Sequence, residues 1–426
     1  MSGRRARIPV VTGMGVVAPG GLGIGPFWDL MSNGRTATRR VTLFDPEGFR
    51  CQVAAECDFD PVALGLTPQE VRRMDRVAQM AVVASREALA DSGLVLDDVP
   101  PDRVAVAIGN AVGNTIMMEQ EYAVVSDGGR KWLTDWEYAV PYSYNYMVPS
   151  SLAAEIAVGV GAEGPVSVVS TGCTSGLDAV GYAARLIEEG SADVVVCGAA
   201  DAPISPITMA CFDALRATTP NNSDPGHACR PFDRQRDGIV LGEGAAVFVM
   251  EEREHARRRM AAERAVLLGY AGRANAYHMT GLKEDGRELS VAIDTALADA
   301  GVDVSQVDYI NAHGSGTRQN DRHETAAVKR SFRHRAREVP MSSVKSMIGH
   351  SLGAIGAIEV AASILAIEHD LVPPTANLEH ADPECDLDYV PNTARETPVD
   401  VVLSVGSGFG GFQTAVVLGA GEAVPA

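Results

Sequence analysis

Apolar residues in this chain fall into short dense runs separated by polar or glycine-rich breaks. Residues 8–17 and 103–109 (RVAVAIG) are β-branched runs of strand length, and 71–92 between them carries apolar residues at helical spacing. The next stretch, 110–147, has no clear period and reads as an irregular insertion holding Trp132, Trp136, Tyr142, Tyr144 and Tyr146. A short helix is predicted over 149–159. From Val166 the pattern is strand, turn (TGCTSG, 171–176), then a helix with Leu177, Val180, Ala184 and Ile187 on one face. Gly190 stands where that helix stops, and 192–198 is a second strand. A second insertion rich in Pro, Asn and Asp covers 201–236, and 244–251 closes this part as a strand.

The order then begins again. Strands are predicted at 265–271, 307–312, 339–345, 401–405 and 414–418, with helices at 289–300, 324–332 and 352–369. Two copies of βαβαβαββ, at about 8–251 and 265–418, imply an α/β protein of two similar layered halves, divided as 1–258 and 259–426. Polar residues sit at equivalent places in this scheme. Cys173 follows the third strand of the first copy, His313 the second strand of the second copy, and His350 its third. The glycine-rich turn 406–411 (GSGFGG) follows its fourth. Open α/β sheets bind ligands beyond the carboxyl ends of their strands, so two halves packed about a pseudo-twofold bring these four loops together.

Composition narrows the class. The chain has 426 residues, 46% hydrophobic and 5% aromatic, with 43 glycines, as expected of an Ala/Val/Gly-rich α/β protein. Its net charge of −19 argues against sequence-independent nucleic-acid binding, though a local basic patch for an acidic partner is compatible with it. Seven scattered cysteines with no CxxC spacing point to neither a disulfide framework nor a zinc site, and they fit a reducing cytoplasm. The N-terminal apolar run is broken by Pro9, Thr12, Gly13 and Gly15, so it reads as a strand and not a signal peptide. No stretch holds roughly 18 continuous apolar residues, so no membrane span is expected.

Cys173 stands where a strand hands over to a helix, and a helix N-terminus favours a thiolate. Lowering a thiol by about two pKa units needs roughly 2.7 kcal/mol of differential stabilisation. The residue reads equally as a small core cysteine. His313 (NAHGSGTRQND) and His350 (KSMIGHSLGAIG) are each flanked by glycine just past an apolar strand, where neutral imidazoles can donate to an oxyanion. Lys345, Asp321 and Glu324 are candidate supporting charges, or ordinary surface ion pairs. The 406–411 turn has GxGxxG-like spacing, but a strand and not a helix follows, which excludes a dinucleotide fingerprint. His323-Glu324 lacks the second histidine of HExxH. One rival stands on local grounds: Gly349–Gly353 (GHSLG) matches a GxSxG nucleophile elbow, followed in order by Asp370 and His380. That reading is a serine acyltransferase or hydrolase.

STGCTSG, NAHGSGTRQND, KSMIGHSLGAIG and VGSGFGGFQ, in this order, resemble the motifs of β-ketoacyl synthases of the thiolase fold. The similarity runs through essentially the whole chain and points to the α subunit of the ketosynthase in bacterial aromatic (type II) polyketide synthases, with a fatty-acid β-ketoacyl synthase as the alternative. Cys173 separates it from the sister chain-length factor, in which the nucleophile is replaced. The resemblance implies duplicated halves in an αβαβα arrangement. It implies Cys173 as acyl-accepting nucleophile, with His313 and His350 in decarboxylation and enolate stabilisation. Lys345 and Glu324 become charged support with Asp321 near them, Phe409 a gate, and the amides of Cys173 and Phe409 an oxyanion hole. It further implies no metal and no cofactor. The expected partners are an acyl carrier protein bearing malonyl or acyl phosphopantetheine and a chain-length factor as heterodimer partner, without nucleic acid or membrane.

Overall fold

The computed structural model describes residues 7–131 and 136–421, so Trp132 lies outside the described residues. Five strands of the N-terminal half, β1 (Pro9–Ala18), β2 (Val104–Gly109), β3 (Val166–Val169), β4 (Val194–Asp201) and β5 (Gly244–Glu252), lie in the order 3-2-4-5-1. β2 runs parallel to β3 and β4, whereas β5 is antiparallel to β4 and β1. The C-terminal half repeats this with β6 (Ala265–Ala274), β7 (Tyr309–Asn311), β8 (Met341–Ser342), β9 (Val401–Gly408) and β10 (Phe412–Gly419), in the order 8-7-9-10-6. Strand directions repeat as well. The two sets touch edge to edge through only Val10↔Val266 and Val11↔Ala265.

Three apolar interfaces set the layers. α1 (Arg76–Ser92) packs its buried face on the outer side of β1, β2, β4 and β5. α2 (Ser175–Glu188) and α5 (Ile355–His369) fill the space between the two sets of strands. α3 (Arg287–Ala300) and α4 (Arg318–Phe332) cover the outside of the C-terminal half. The result is α/β/α/β/α. α5 is buried from Ile355 to Ile367, which accounts for its apolar residues on all sides. With the turn before it, Leu352–His369 is long and apolar enough to cross a membrane; 83% of it is buried inside the protein, the place of a core helix.

α2 and α5 meet at their N-termini through glycine. A Cβ on Gly176 would lie 2.4 Å from the Ala357 nitrogen, and one on Gly356 would lie 2.8 Å from that of Leu177. No larger residue fits without moving backbone, so the two glycines hold the turns of Cys173 and His350 side by side.

Four predicted elements differ. The single helix at 71–92 is two, Pro68–Arg73 and Arg76–Ser92, because Asp75 caps the second and Met74 is extended. The insertion at 110–147 carries helices Thr115–Val125 and Ser143–Met147; the first buries no residue, so its sequence has no core-facing stripe to reveal it. The second insertion contains Pro206–Ala214, started by Ser205 and Pro206, a cap signal that the polar composition masked. The strand at 339–345 shrinks to β8: the Ser343 amide bonds the Thr375 hydroxyl at 3.0 Å, and Lys345 opens the short helix Lys345–Ile348.

Candidate active site

Cys173 sits in a 3-10 turn, Gly172–Thr174, directly ahead of α2. The turn packs against the GSGFGG turn between β9 and β10. A Cβ on Gly408 would lie 3.2 Å from the Cys173 nitrogen, and one on Gly172 would lie 2.9 Å from the Phe409 carbonyl. This contact brings the Phe409 amide to the Cys173 sulfur. Burial pushes the thiol up to about 11, against the opposing pull of the Phe409 amide and the Lys345 charge. The expectation of a thiolate favoured by the helix start is therefore reversed in the resting protein. The sulfur still opens partly to a cavity of about 250 Å³, lined also by His313, His350, Phe409, Phe212, Asn320 and Leu352.

The two imidazoles face each other edge-on, with ring centroids 5.3 Å apart at 80°. His350 Nδ1 accepts the Leu352 amide at 3.1 Å, which fixes the ring proton on Nε2. Among the described residues His313 Nδ1 has no hydrogen-bond partner, so its tautomer is not fixed in this way. Both rings are held well below the usual histidine value, first by burial and next by the Lys345 charge. They are neutral at physiological pH, and a neutral imidazole has one N–H available to donate.

Lys345 is fully buried and donates to the His313 carbonyl and to Glu359. Glu324, on α4, accepts the amides of His313 at 2.6 Å and Gly314 at 2.8 Å. Burial pushes Glu324 up to about 8 against those amides. Lys345 and Glu324 thus grip the backbone of His313 from two sides without lining the cavity. Asp321 does not reach the cavity either. It accepts the Phe232 amide at 2.8 Å and pairs with buried Arg236 at 3.2 Å, anchoring the neighbouring loop.

Phe409 is 37% exposed at the mouth and stacks on Phe212 with centroids 6.2 Å apart. Among the described residues the serine elbow has no triad. Ser351 Oγ is buried without a hydrogen-bond partner and lies off the cavity lining. Asp370 instead accepts the Val399 amide at 3.0 Å, and the backbone of His380 is tied to Asp233.

Sequence reasoning missed Glu359, Asp201, Asn320 and Phe212. Glu359 is the one acid within the apolar run Ile355–Ile367, and such an acid requires a buried partner. Asp201 ends β4 and accepts the amides of Gly353 at 2.8 Å and Ala111 at 3.0 Å, pinning the turn after His350; burial pushes it up to about 7. Asn320 lines the cavity, and its Nδ2 is held by Asp321 and Glu324 at 3.2 and 3.4 Å. Among the described residues no cluster of three or more His, Cys, Asp or Glu suits a metal ion.

Two family models match the chain: β-ketoacyl synthase N-terminal domain over residues 7–256 and C-terminal domain over 264–379. The tetracenomycin polyketide synthase ketoacyl synthase alpha subunit of Streptomyces glaucescens is 63% identical over 409 residues, 96% of each chain. A solved complex of a type II polyketide synthase acyl carrier protein with its ketosynthase bound to a hexaketide superposes with TM-score 0.91 at 37% identity, covering 98% of this chain and 100% of that one. The ishigamide ketosynthase/chain length factor gives TM-score 0.88 at 34% identity, covering 97% and 99%.

Proposed function

This chain belongs to the β-ketoacyl synthase family, and from that membership we propose that it is the α subunit of an aromatic polyketide ketosynthase. It is a condensing acyltransferase that joins a cysteine-bound acyl chain to malonyl carried on an acyl carrier protein. The polyketide branch is preferred to fatty-acid synthesis because the 63% identical relative, covered over 96% of both chains, is a polyketide subunit. The observation that carries the reading is one cavity lined by Cys173, two neutral histidines and Phe409.

In the first half-step the Cys173 sulfur attacks the acyl thioester. A carbon–sulfur bond forms to Cys173, the bond to the carrier sulfur breaks, and the thiol proton leaves on that sulfur. The exchange is proton-neutral, so a thiol pushed up to about 11 needs no standing thiolate. The tetrahedral oxyanion lies between the amides of Cys173 and Phe409. Malonyl carrier protein then enters and loses CO2, its bonding electrons moving onto the thioester oxygen. His350 Nε2–H and the ring N–H of His313 donate to that oxygen. The enolate carbon attacks the Cys173 acyl carbonyl, the cysteine sulfur departs and takes up a proton from solvent, and the chain is two carbons longer. Lys345, with Glu359 and Glu324 behind it, keeps the imidazoles neutral and fixes His313.

Residues 1–258 and 259–426 are the two halves, the first supplying Cys173 and the second the histidines and Phe409. Acyl carrier protein is the donor of both substrates, and a chain-length factor is the stable partner. The exposed aromatics Trp136, Tyr138 and Tyr144, beside an apolar cavity of about 660 Å³ over helices Thr115–Val125 and Ser143–Met147, are the surface that partner covers. We assign the enzyme to the cytoplasm, a reading that seven unpaired cysteines support. The chain assembled with its chain-length factor and given acyl and malonyl carrier proteins is expected to release one CO2 per two-carbon extension. Extension that persists in Cys173→Ala would refute the reading.

A further inference from the structure

Asp178 stands in the first turn of α2, behind the nucleophile turn and off the lining of the catalytic cavity. Its carboxylate accepts four hydroxyls, two on each oxygen. Oδ2 takes Thr171 and, at 2.9 Å, Thr174, the residues that bracket Gly172-Cys173. Oδ1 takes Tyr270 of β6 at 2.9 Å and Thr414 of β10 at 2.8 Å, both from the other half. Thr414 lies five residues beyond Phe409, on the strand that the GSGFGG turn feeds. Gly181 makes the Tyr270 contact feasible, since a Cβ there would lie 2.3 Å from the Tyr270 ring. Burial and the neighbouring carboxylate hold the Tyr270 phenol above its ordinary value, so it remains a donor.

We propose that Asp178 is the positioning residue of the oxyanion hole. It ties the segment carrying the Cys173 amide to the segment carrying the Phe409 amide, so that both N–H groups converge on one oxygen. The two amides come from different halves of the duplicated fold, and one side chain that holds hydroxyls from both halves fixes their relation. Oxyanion stabilisation depends on donor placement, and removing a single donor costs about 10²–10³ in rate. The inference rests on the acyl-transfer reading above. It separates the steps: acyl transfer to Cys173 uses the hole, whereas CO2 loss uses the imidazole donors, which Asp178 does not touch.

The test compares Asp178→Asn and Thr414→Val with the parent enzyme, each in complex with its chain-length factor. Three rates are measured: single-turnover acylation from acyl carrier protein, iodoacetamide alkylation of Cys173 across pH, and CO2 release from malonyl carrier protein in a Cys173→Gln background. Acylation by Asp178→Asn is expected to fall about tenfold to a hundredfold, with KM for acyl carrier protein unchanged within about twofold. CO2 release should stay within about threefold of the parent, alkylation should slow along with acylation because the Phe409 amide also donates to the sulfur, and Thr414→Val should show smaller losses in the same two rates. A parallel fall of all three rates would make Asp178 merely structural and overturn the proposal, as would undiminished acylation in both variants. If Asp178→Asn does not fold, Thr414→Val decides by the same criteria. A parent enzyme that neither acylates nor releases CO2 would instead overturn the reading beneath.

Discussion

Replacing His350 by alanine removes one of the two donors assigned to the enolate oxygen, and the structure sets the size of the effect. The ring is 3% exposed, and its Nδ1 is committed to the Leu352 amide at 3.1 Å, so the reactive donor is Nε2–H alone. Loss of one such donor in a water-poor site costs about 2.7–4 kcal/mol, or 10²–10³ in rate. A second cost falls on the fold, because the Leu352 amide is left without an acceptor, worth about 1–3 kcal/mol. The assay is therefore labelled CO2 release from malonyl carrier protein, in a Cys173→Gln background and well below the unfolding midpoint. Glutamine is neutral and non-nucleophilic and stands in for the acylated sulfur, so Cys173→Gln itself should release CO2 without being acylated. Adding His350→Ala should cut that release by about 10²–10³, while His350→Ala in the Cys173 protein keeps its acylation within about tenfold. Burial and Lys345 hold both imidazoles well below the usual value, so a bend in CO2 release between pH 6 and 8 belongs to Asp201, pushed up to about 7, or to Glu324, pushed up to about 8, and not to either ring. A folded double variant that releases CO2 within threefold of Cys173→Gln would refute the donor role.

Ser351→Ala, which removes a buried hydroxyl without a partner, should leave condensation with preloaded malonyl carrier protein intact and stability unchanged or slightly higher; abolished condensation in a folded variant would reinstate the serine. Iodoacetamide alkylation of Cys173 should climb close to tenfold per pH unit from 7 to 10, because burial pushes the thiol up to about 11; a plateau near pH 7 would mean that the helix start prevails over burial. Light scattering should find the chain associated through the aromatic surface around Trp136, which is 79% exposed, and Tyr144, which is 72% exposed; a dilute monomer with full condensing activity would contradict that.

Much of this architecture was legible because the core is built from elements whose apolar runs had no second interpretation. The strands at Val194–Asp201 and Gly244–Glu252 are buried at every position, and α2 buries Leu177, Val180, Ala184 and Ile187 at helical spacing. The repeated strand order also placed Cys173, His313, His350 and Phe409 at equivalent loop ends, and the fold brings those ends to one cavity. Helix Thr115–Val125 was illegible because it buries no residue, so no stripe marks it. The thiol's direction was misread for a related reason: the turn geometry is local, but desolvation depends on what the C-terminal half lays over the sulfur. Glu359 and Asp178 act through partners 14 and up to 236 residues away in the chain, a relation no spacing rule reveals. Asp321, grouped with Glu324 by sequence proximity, points to Arg236 because residues three apart on a helix need not serve the same loop.

The most direct test of the account is mass spectrometry of the intact protein, with its chain-length factor, after exposure to acyl carrier protein and then to malonyl carrier protein. The account predicts a mass gain of one acyl group on the Cys173 peptide after the first addition, lost again as CO2 and an extended carrier-bound chain appear after the second. A gain that maps to Ser351, or an acyl group on Cys173 that malonyl carrier protein does not discharge, would contradict it.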